Sequence, residues 1–266
     1  MSGSTETFQI TAEQAEMYEA TFVPAIFADW APPLVEAAGI QPGQAVLDVA
    51  CGTGIVARTA AAWVRPTGRV VGLDLNEAML GVARRVRPDI EWHQGDAVSL
   101  PFPDGSFDVT LCQSALMFLP DPVRALSEMR RVTRSPGIVA VQVYDRLDSQ
   151  PGYRPFIEVA ALHAGAEATS LLGAYWVHGD LDALARLFEA AGLHIADTRT
   201  RMGIVRFGSI DEFVRTEIYS TPLAGRISEA TFQQILDGAR LALAPFGTPD
   251  GRVEIPIQGH IVTAKP

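Results

Sequence analysis

The chain predicts an α/β protein built on a mostly parallel sheet, and three observations carry that prediction. Short apolar runs alternate with helical patterns between residues 45 and 144, as β-α-β units do. A glycine turn, Gly52-Thr53-Gly54, stands at the first passage from strand to helix. Acidic residues fall at or just past the ends of the first three strands, at Asp48, Asp74 and Asp96.

The length and composition suit that class. The 266 residues fit one large α/β domain spanning 1–266. A 48% hydrophobic and 20% charged composition can bury a sizeable core.

Residues 1–40 read as N-terminal helices, in which Pro24 and Pro32-Pro33 punctuate two short segments. Residues 45–49 form a first apolar strand and 55–64 an alanine-rich helix. Pro66-Thr67-Gly68 turns into a second strand at 69–74. Asn76 caps a helix over 77–86. A third strand follows at 90–94, and a fourth at 107–112 after the turn Pro103-Asp104-Gly105. Asp121 caps the next helix, with Pro122 at its first position. Val123, Leu126, Met129 and Val132 give it one apolar stripe. Ser135-Pro136-Gly137 is read as its end, and 138–144 as a fifth strand.

The pattern then loosens. Residues 148–179 and 208–250 are read as two partly helical insertions that form a substrate cap. Between them, Leu181, Leu184, Leu187, Phe188 and Ala191 mark a helix stopped by Gly192. Residues 193–207 and 253–264 are read as the last two strands.

The formal net charge is −10, and no run of Lys and Arg interrupts it. Such a body repels phosphates, so a small-molecule partner is expected rather than nucleic acid. Cys51 and Cys112 are too few for a disulfide framework. Free thiols and a cytoplasmic setting are expected. The polar start, with Glu6 and Glu13, lacks the pattern of a signal peptide. No apolar run reaches the ~18 residues a membrane span needs. No metal site is expected, and the oligomeric state is left open.

Ligands of open parallel sheets bind beyond the carboxyl ends of the strands. With the first three strands in the order 3-2-1, Asp48, Asp74 and Asp96 line one crevice there. Gly52 and Gly54 allow a ligand close to the backbone. The N–H groups at the helix start favour a carboxylate. Asp74 suits a ribose diol. Asp96 suits the exocyclic amine of adenine, and the Ala97 N–H a ring nitrogen. Leu75, Met79 and Val98 are the expected apolar walls. Tyr18 and Trp30 either close over the ligand or pack the N-terminal helices down.

These motifs resemble those of class I S-adenosylmethionine-dependent methyltransferases. Val46-Leu47-Asp48-Val49-Ala50-Cys51-Gly52-Thr53-Gly54 is similar to the family's first motif. Val71-Gly72-Leu73-Asp74-Leu75 is similar to its second. Gly95-Asp96-Ala97 and the run from Leu100 to Asp108 resemble the third and fourth in the type 11 subgroup, which includes ubiquinone/menaquinone-biosynthesis C-methyltransferases. The resemblance implies a Rossmann-like seven-stranded sheet in the order 3-2-1-4-5-7-6, with helices on both faces and a helical cap. It implies S-adenosylmethionine as cofactor, methyl transfer to a small, hydrophobic or aromatic acceptor, and Gln113 and Ser114 near the cofactor's methionine end. Ala50 stands where many relatives have glycine. Ala115-Leu116-Met117-Phe118 lacks the histidine some relatives carry. The remaining candidates for a base are His163 and His178, each of which also reads as a packed core residue.

Two other functions compete. A nicotinamide-dependent oxidoreductase requires Gly-x-Gly-x-x-Gly, and Ala57 breaks that fingerprint. A non-catalytic protein that binds S-adenosylmethionine or a partner is compatible with every motif above.

Overall fold

The computed structural model describes residues 11–266. The first ten residues of the expected N-terminal helices, Glu6 among them, lie outside the described residues. In chain order the elements begin with α1 (Ala12–Met17), a π-helix (Tyr18–Phe27), α2 (Ala31–Ala37), β1 (Ala45–Val49) and α3 (Ile55–Val64). There follow β2 (Arg69–Asp74), α4 (Glu77–Val86), β3 (Glu91–Gln94), β4 (Phe107–Gln113), α5 (Pro122–Val132) and β5 (Thr133–Tyr144). The chain continues with α6 (Tyr153–Ala164), α7 (Ala166–Leu172), α8 (Leu181–Ala190) and β6 (His194–Phe207). It ends with α9 (Ile210–Tyr219), α10 (Glu229–Leu243) and β7 (Val253–Lys265).

The seven strands lie in the order β3-β2-β1-β4-β5-β7-β6, as expected. β1 to β5 pair in parallel, with Asp48 beside Gly72 and Asp74 beside Gln94. The chain divides into two compact units. One takes the described residues up to Val143, Leu181–Arg199 and Ile261–Pro266; the other takes Tyr144–Asp180 and Thr200–His260.

In the first unit β1, β2 and β4 are buried on both faces nearly throughout, which suits central strands of a parallel sheet. Leu47, Val49, Val71, Leu73, Val139 and Val141 share one buried cluster with Leu126, Met129 and Val132 of α5. Each such Leu contributes roughly 2 kcal/mol by leaving water. The α5 stripe is thus the one its spacing predicts.

Two local readings change. Pro24 does not end a helix; it lies inside the π-helix. There the turns are wide, as the bond from Ala28 N–H to Val23 O shows at 2.8 Å. A proline ring has no N–H to offer, and the wider turn accommodates it better than an α-turn does. Ser135-Pro136-Gly137 likewise does not separate helix from strand. α5 stops at Val132, and Thr133 already pairs with Phe107. The register shifts between Phe107 and Val109, which is a bulge. A Cβ on Gly137 would overlap the carbonyls of Arg134 and Asp108. Glycine is what lets the bulged chain rejoin the sheet.

The second unit has its own core. α10 packs on α6 and α9. A chain of edge-on rings runs from Phe156 to Phe213 (5.1 Å), Tyr153 (5.3 Å) and Trp176 (5.0 Å). His260 of β7 is buried, with Nδ1 2.9 Å from Thr200 Oγ1 and Nε2 3.2 Å from both Gly179 O and Asp145 Oδ1.

Candidate active site

The site begins where β1 stops. Ala50, Gly52 and Gly54 have φ of 55°, 55° and 91°. The loop thus turns left-handed three times within five residues. Glycine does this freely; alanine at such a φ costs about 1 kcal/mol. Ala50 therefore sits on strained backbone. Ser114, just past β4, is likewise left-handed at φ 51°. These two non-glycine residues stand at the carboxyl ends of neighbouring strands, where strain commonly serves a site.

Trp92, half-buried on β3, explains two of the glycines. A Cβ on Gly54 or on Gly72 would overlap its ring. Its indole N–H donates to Arg87 O at 2.9 Å, which fixes the ring. The residue was not among those singled out from the sequence. Its signal was Gly72, a glycine inside an apolar strand, which marks a close approach.

The three carboxylates are held mainly by backbone N–H groups. Asp74 Oδ2 accepts from Gly52 N–H and Oδ1 from Asn76 N–H, both at 2.8 Å. One side chain thereby joins the glycine loop to the start of α4. Burial pushes its pKa up against these bonds. Asp48 is 1% exposed and accepts from Ala57 N–H at 2.8 Å. Burial is the main cause that lifts it to about 8, and the nearby Asp74 adds to the shift. Asp96 accepts from Val98 N–H at 3.0 Å. Ala97, next to it, is buried.

Tyr18, Asp48, Ala50 and Gln113 line one small cavity with Phe27, Cys51, Ile55 and Val56. The Tyr18 hydroxyl lies 3.5 Å from where a Cβ on Gly52 would be. Tyr18 also stacks on Phe22 and Phe27. Trp30 is fully buried, as a packing role requires. Gln113 Nε2 donates to Phe27 O at 3.0 Å. Arg58 donates to Thr53 O at 2.7 Å and to Glu19 at 2.9 Å. The π-helix is thus tied to the glycine loop and to the end of β4. Ser114 donates from N–H to Gln142 O and from Oγ to Gln142 Oε1.

Buried polar atoms without a partner among the described residues occur here, among them Thr53 Oγ1 and Gln113 Oε1. Such groups are costly unless something binds them. A polar ligand in the cavity, such as the amino-acid end of S-adenosylmethionine, would meet Gln113 Oε1, which belongs to a lining residue. The donor set of the loop fits that group.

The three expected apolar walls differ, and Val98 is half-buried against the core cluster. Leu75 is 53% exposed, free to meet a base. Met79 is buried and packs with Ala15 and Val82. Behind Asp96 and Ala97, Arg131 donates to Leu100 O, Phe102 O, Asp104 and Glu128, while Glu128 accepts from Leu100 N–H. This clamp gives the run from Leu100 its shape, and the hydrogen bond from Arg131 holds Glu128 below the usual carboxylate range. Asp108 accepts from Ala45 N–H at 2.8 Å, so it fixes the start of β1. Cys51 and Cys112 are buried free thiols, and burial pushes Cys112 up to about 12.

His163 and His178 fall in the second unit, His163 in the last turn of α6. Neither belongs to the glycine-loop cavity lining. The second unit instead buries Glu217, which sequence reading did not flag. Its signal was an acid within the apolar stripe Phe213, Val214, Glu217, Ile218.

A glycine loop bonded to the acid that ends β2, in a sheet of this order, defines a Rossmann-like nucleoside-binding protein. The comparisons narrow that class. Residues 47–141 match the model of a methyltransferase domain. The demethylmenaquinone methyltransferase of Renibacterium salmoninarum is 42% identical over 48% of this chain and 51% of its own length. The chain thus spans about half the length of the first curated relatives it matches. The demethylmenaquinone methyltransferase of Lysinibacillus sphaericus is 33% identical over 62% of this chain and 76% of its own length. A methyltransferase-type structure from Bacillus halodurans shares the fold, with a TM-score of 0.62, 22% identity and coverage of 89% of this chain and 98% of that one. The chain belongs to the S-adenosylmethionine-dependent methyltransferase family. Its cofactor is S-adenosylmethionine.

Proposed function

We propose that the protein transfers the methyl group of S-adenosylmethionine to a small, largely apolar or aromatic molecule. The observation that carries this is Asp74, whose two oxygens bond Gly52 N–H and Asn76 N–H. The ribose-binding acid and the glycine loop are one preassembled unit before any ligand arrives. When bound, the cofactor supplies an activated sulfonium methyl.

The chain's own residues bind and orient. The glycine loop at the start of α3, with the Thr53 hydroxyl, receives the methionine carboxylate. Asp74 takes the ribose, Asp96 and Ala97 take adenine, and Leu75 covers the base. Gln113, Ser114 and Tyr18 surround the methionine end, and the π-helix that bears Tyr18 excludes water. Orientation and desolvation then supply much of the rate.

The acceptor reading rests on the residues of the two insertions, 148–179 and 208–250, which we assign to acceptor binding. Tyr153, Phe156, Tyr175, Trp176 and Phe213 make these insertions rich in aromatic side chains. The relatives are named for demethylmenaquinone, so an acceptor with a quinone-type ring is favoured. The charge of −10 favours such a molecule over a nucleic acid. Among the described residues no helix is long and apolar enough to cross a membrane. The buried free thiols accord with a reducing, cytoplasmic setting. Incubation with S-adenosylmethionine and a panel of hydroxylated and quinol aromatics tests the reading. A product one methyl heavier is expected; cofactor binding without methylation of any panel member would sink it.

A further inference from the structure

A buried carboxylate among aromatic rings is the costliest feature of the second unit. Glu217 is 3% exposed on the apolar side of α9. Packing alone calls for an apolar residue there. Its carboxylate accepts a hydrogen bond from the Tyr153 hydroxyl at 2.9 Å. Tyr153 rests edge-on against Trp176. Trp176 in turn meets Tyr144 at 5.6 Å and Tyr175 at 6.2 Å between ring centroids. Trp176 is buried, and its indole N–H has no acceptor among the described residues. A buried acid and a buried unpaired donor therefore share one aromatic cluster. The acid is costly to bury even with its one bond from Tyr153, and the Trp176 N–H penalises the folded state unless a partner arrives.

We propose that this cluster binds an aromatic molecule bearing an ionisable hydroxyl, a phenol or an enol. Glu217 accepts the ligand's O–H, the Trp176 N–H donates to a second oxygen, and Tyr144, Tyr153 and Tyr175 enclose the ring. The inference rests on the acceptor reading above and names the class of acceptor. In the proton step the ligand's O–H bond breaks and its electron pair stays on oxygen. The proton joins the Glu217 carboxylate and later passes to water.

The groups around Glu217 support this role. Tyr153 comes from α6, Tyr144 from the end of β5 and Tyr175 from the turn before Trp176. The influences on its charge are burial and the Tyr153 hydrogen bond, with no cation among them. Burial lifts it to about 7, close to where a proton acceptor works best at neutral pH. Tyr153 and Tyr175 are themselves pushed up by burial and by Glu217, so they stay neutral donors.

The test is equilibrium dialysis of the full chain with 2-naphthol and with 2-methylnaphthalene, which replaces the hydroxyl by a methyl of similar size. Both are measured at a pH below and a pH above the Glu217 titration. The expected result is a preference for 2-naphthol of about 10-fold, the worth of one buried hydrogen bond to a charged group, present only at the higher pH. Glu217→Gln should abolish the preference. Tyr153→Phe, which spares the carboxylate, should keep it. Near-UV circular dichroism checks that both variants are folded. Equal binding of the two probes by the wild-type chain would overturn the proposal, as would a preference that survives in Glu217→Gln. S-adenosylhomocysteine binding to the wild-type chain is measured alongside. Its absence would sink the methyl-transfer reading instead, while a 2-naphthol preference would still establish the Glu217 site.

Discussion

The glycine loop and the aromatic cluster of the second unit both bury acids, but they hold them differently. Asp74 and Asp48 accept from backbone N–H groups of residues near in the chain or on the adjoining loop. Glu217 accepts from a phenol 64 residues away in sequence. Backbone partners are fixed by the fold and cannot mutate away, so the loop recurs as a readable motif. A side-chain partner belongs to one sequence, so the cluster leaves no motif. The difference teaches where shared chemistry ends and individual chemistry begins in this chain.

The largest effect should come from the loop backbone. Gly54→Ala places a Cβ into the Trp92 ring on a residue with φ 91°. Strain and overpacking together should cost about 3 kcal/mol or more, seen as a large fall in denaturant midpoint and loss of cofactor binding. Near-wild-type stability would show that Trp92 does not hold the loop.

Asp74→Asn comes next. The amide keeps an acceptor for one N–H but loses the charge-assisted bonds on both oxygens. S-adenosylhomocysteine should bind roughly 10- to 100-fold more weakly, the worth of one or two such bonds. Calorimetry that finds unchanged affinity would remove Asp74 from the ribose role.

Asp48 separates the two regions by pH. Its folded pKa is raised from 3.8 to about 8. Between those values the folded chain holds a proton that the unfolded chain has shed. The stability this group confers is full below the lower value and drains away as pH rises through the upper one. Each pH unit in that window removes up to ~1.4 kcal/mol. Asp48→Asn should flatten that slope in urea melts taken across the window. Glu217, raised to about 7, acts with the same sign in a narrower window. An unchanged slope in Asp48→Asn would place the titration elsewhere.

The smallest effect concerns Ala50. Its φ of 55° suits glycine, so Ala50→Gly trades strain against a more mobile unfolded chain. A gain of up to ~1 kcal/mol is expected. A clear loss of stability would show that the Ala50 methyl packs usefully.

Legibility followed the range of the interactions. β1, α3, β2 and α4 stand at their expected bounds because local signals set them: apolar runs, the Asn76 cap, the glycine turn. The sheet order came from the family resemblance. The bounds of β5 were missed because a bulge opposite Phe107 and Val109, a tertiary event, decides them. Pro24 was misread because its helix is wound in wide turns, which composition does not announce. Asp48, Asp74 and Asp96 were expected at strand ends, and the structure sets the first two within the last residues of β1 and β2 and Asp96 just past β3. Trp92, Arg58 and Gln142 were not singled out, because their meaning depends on which loop or strand they meet. Glu217 was hidden for the same reason, although an acid on an apolar stripe was visible on the page.

The most direct measurement is calorimetric titration of the full chain with S-adenosylhomocysteine, the demethylated form of the cofactor. Binding at one site per chain is predicted, with affinity that collapses in Asp74→Ala while the fold persists. No binding at millimolar ligand, or equal binding by Asp74→Ala, would contradict the account of the glycine loop.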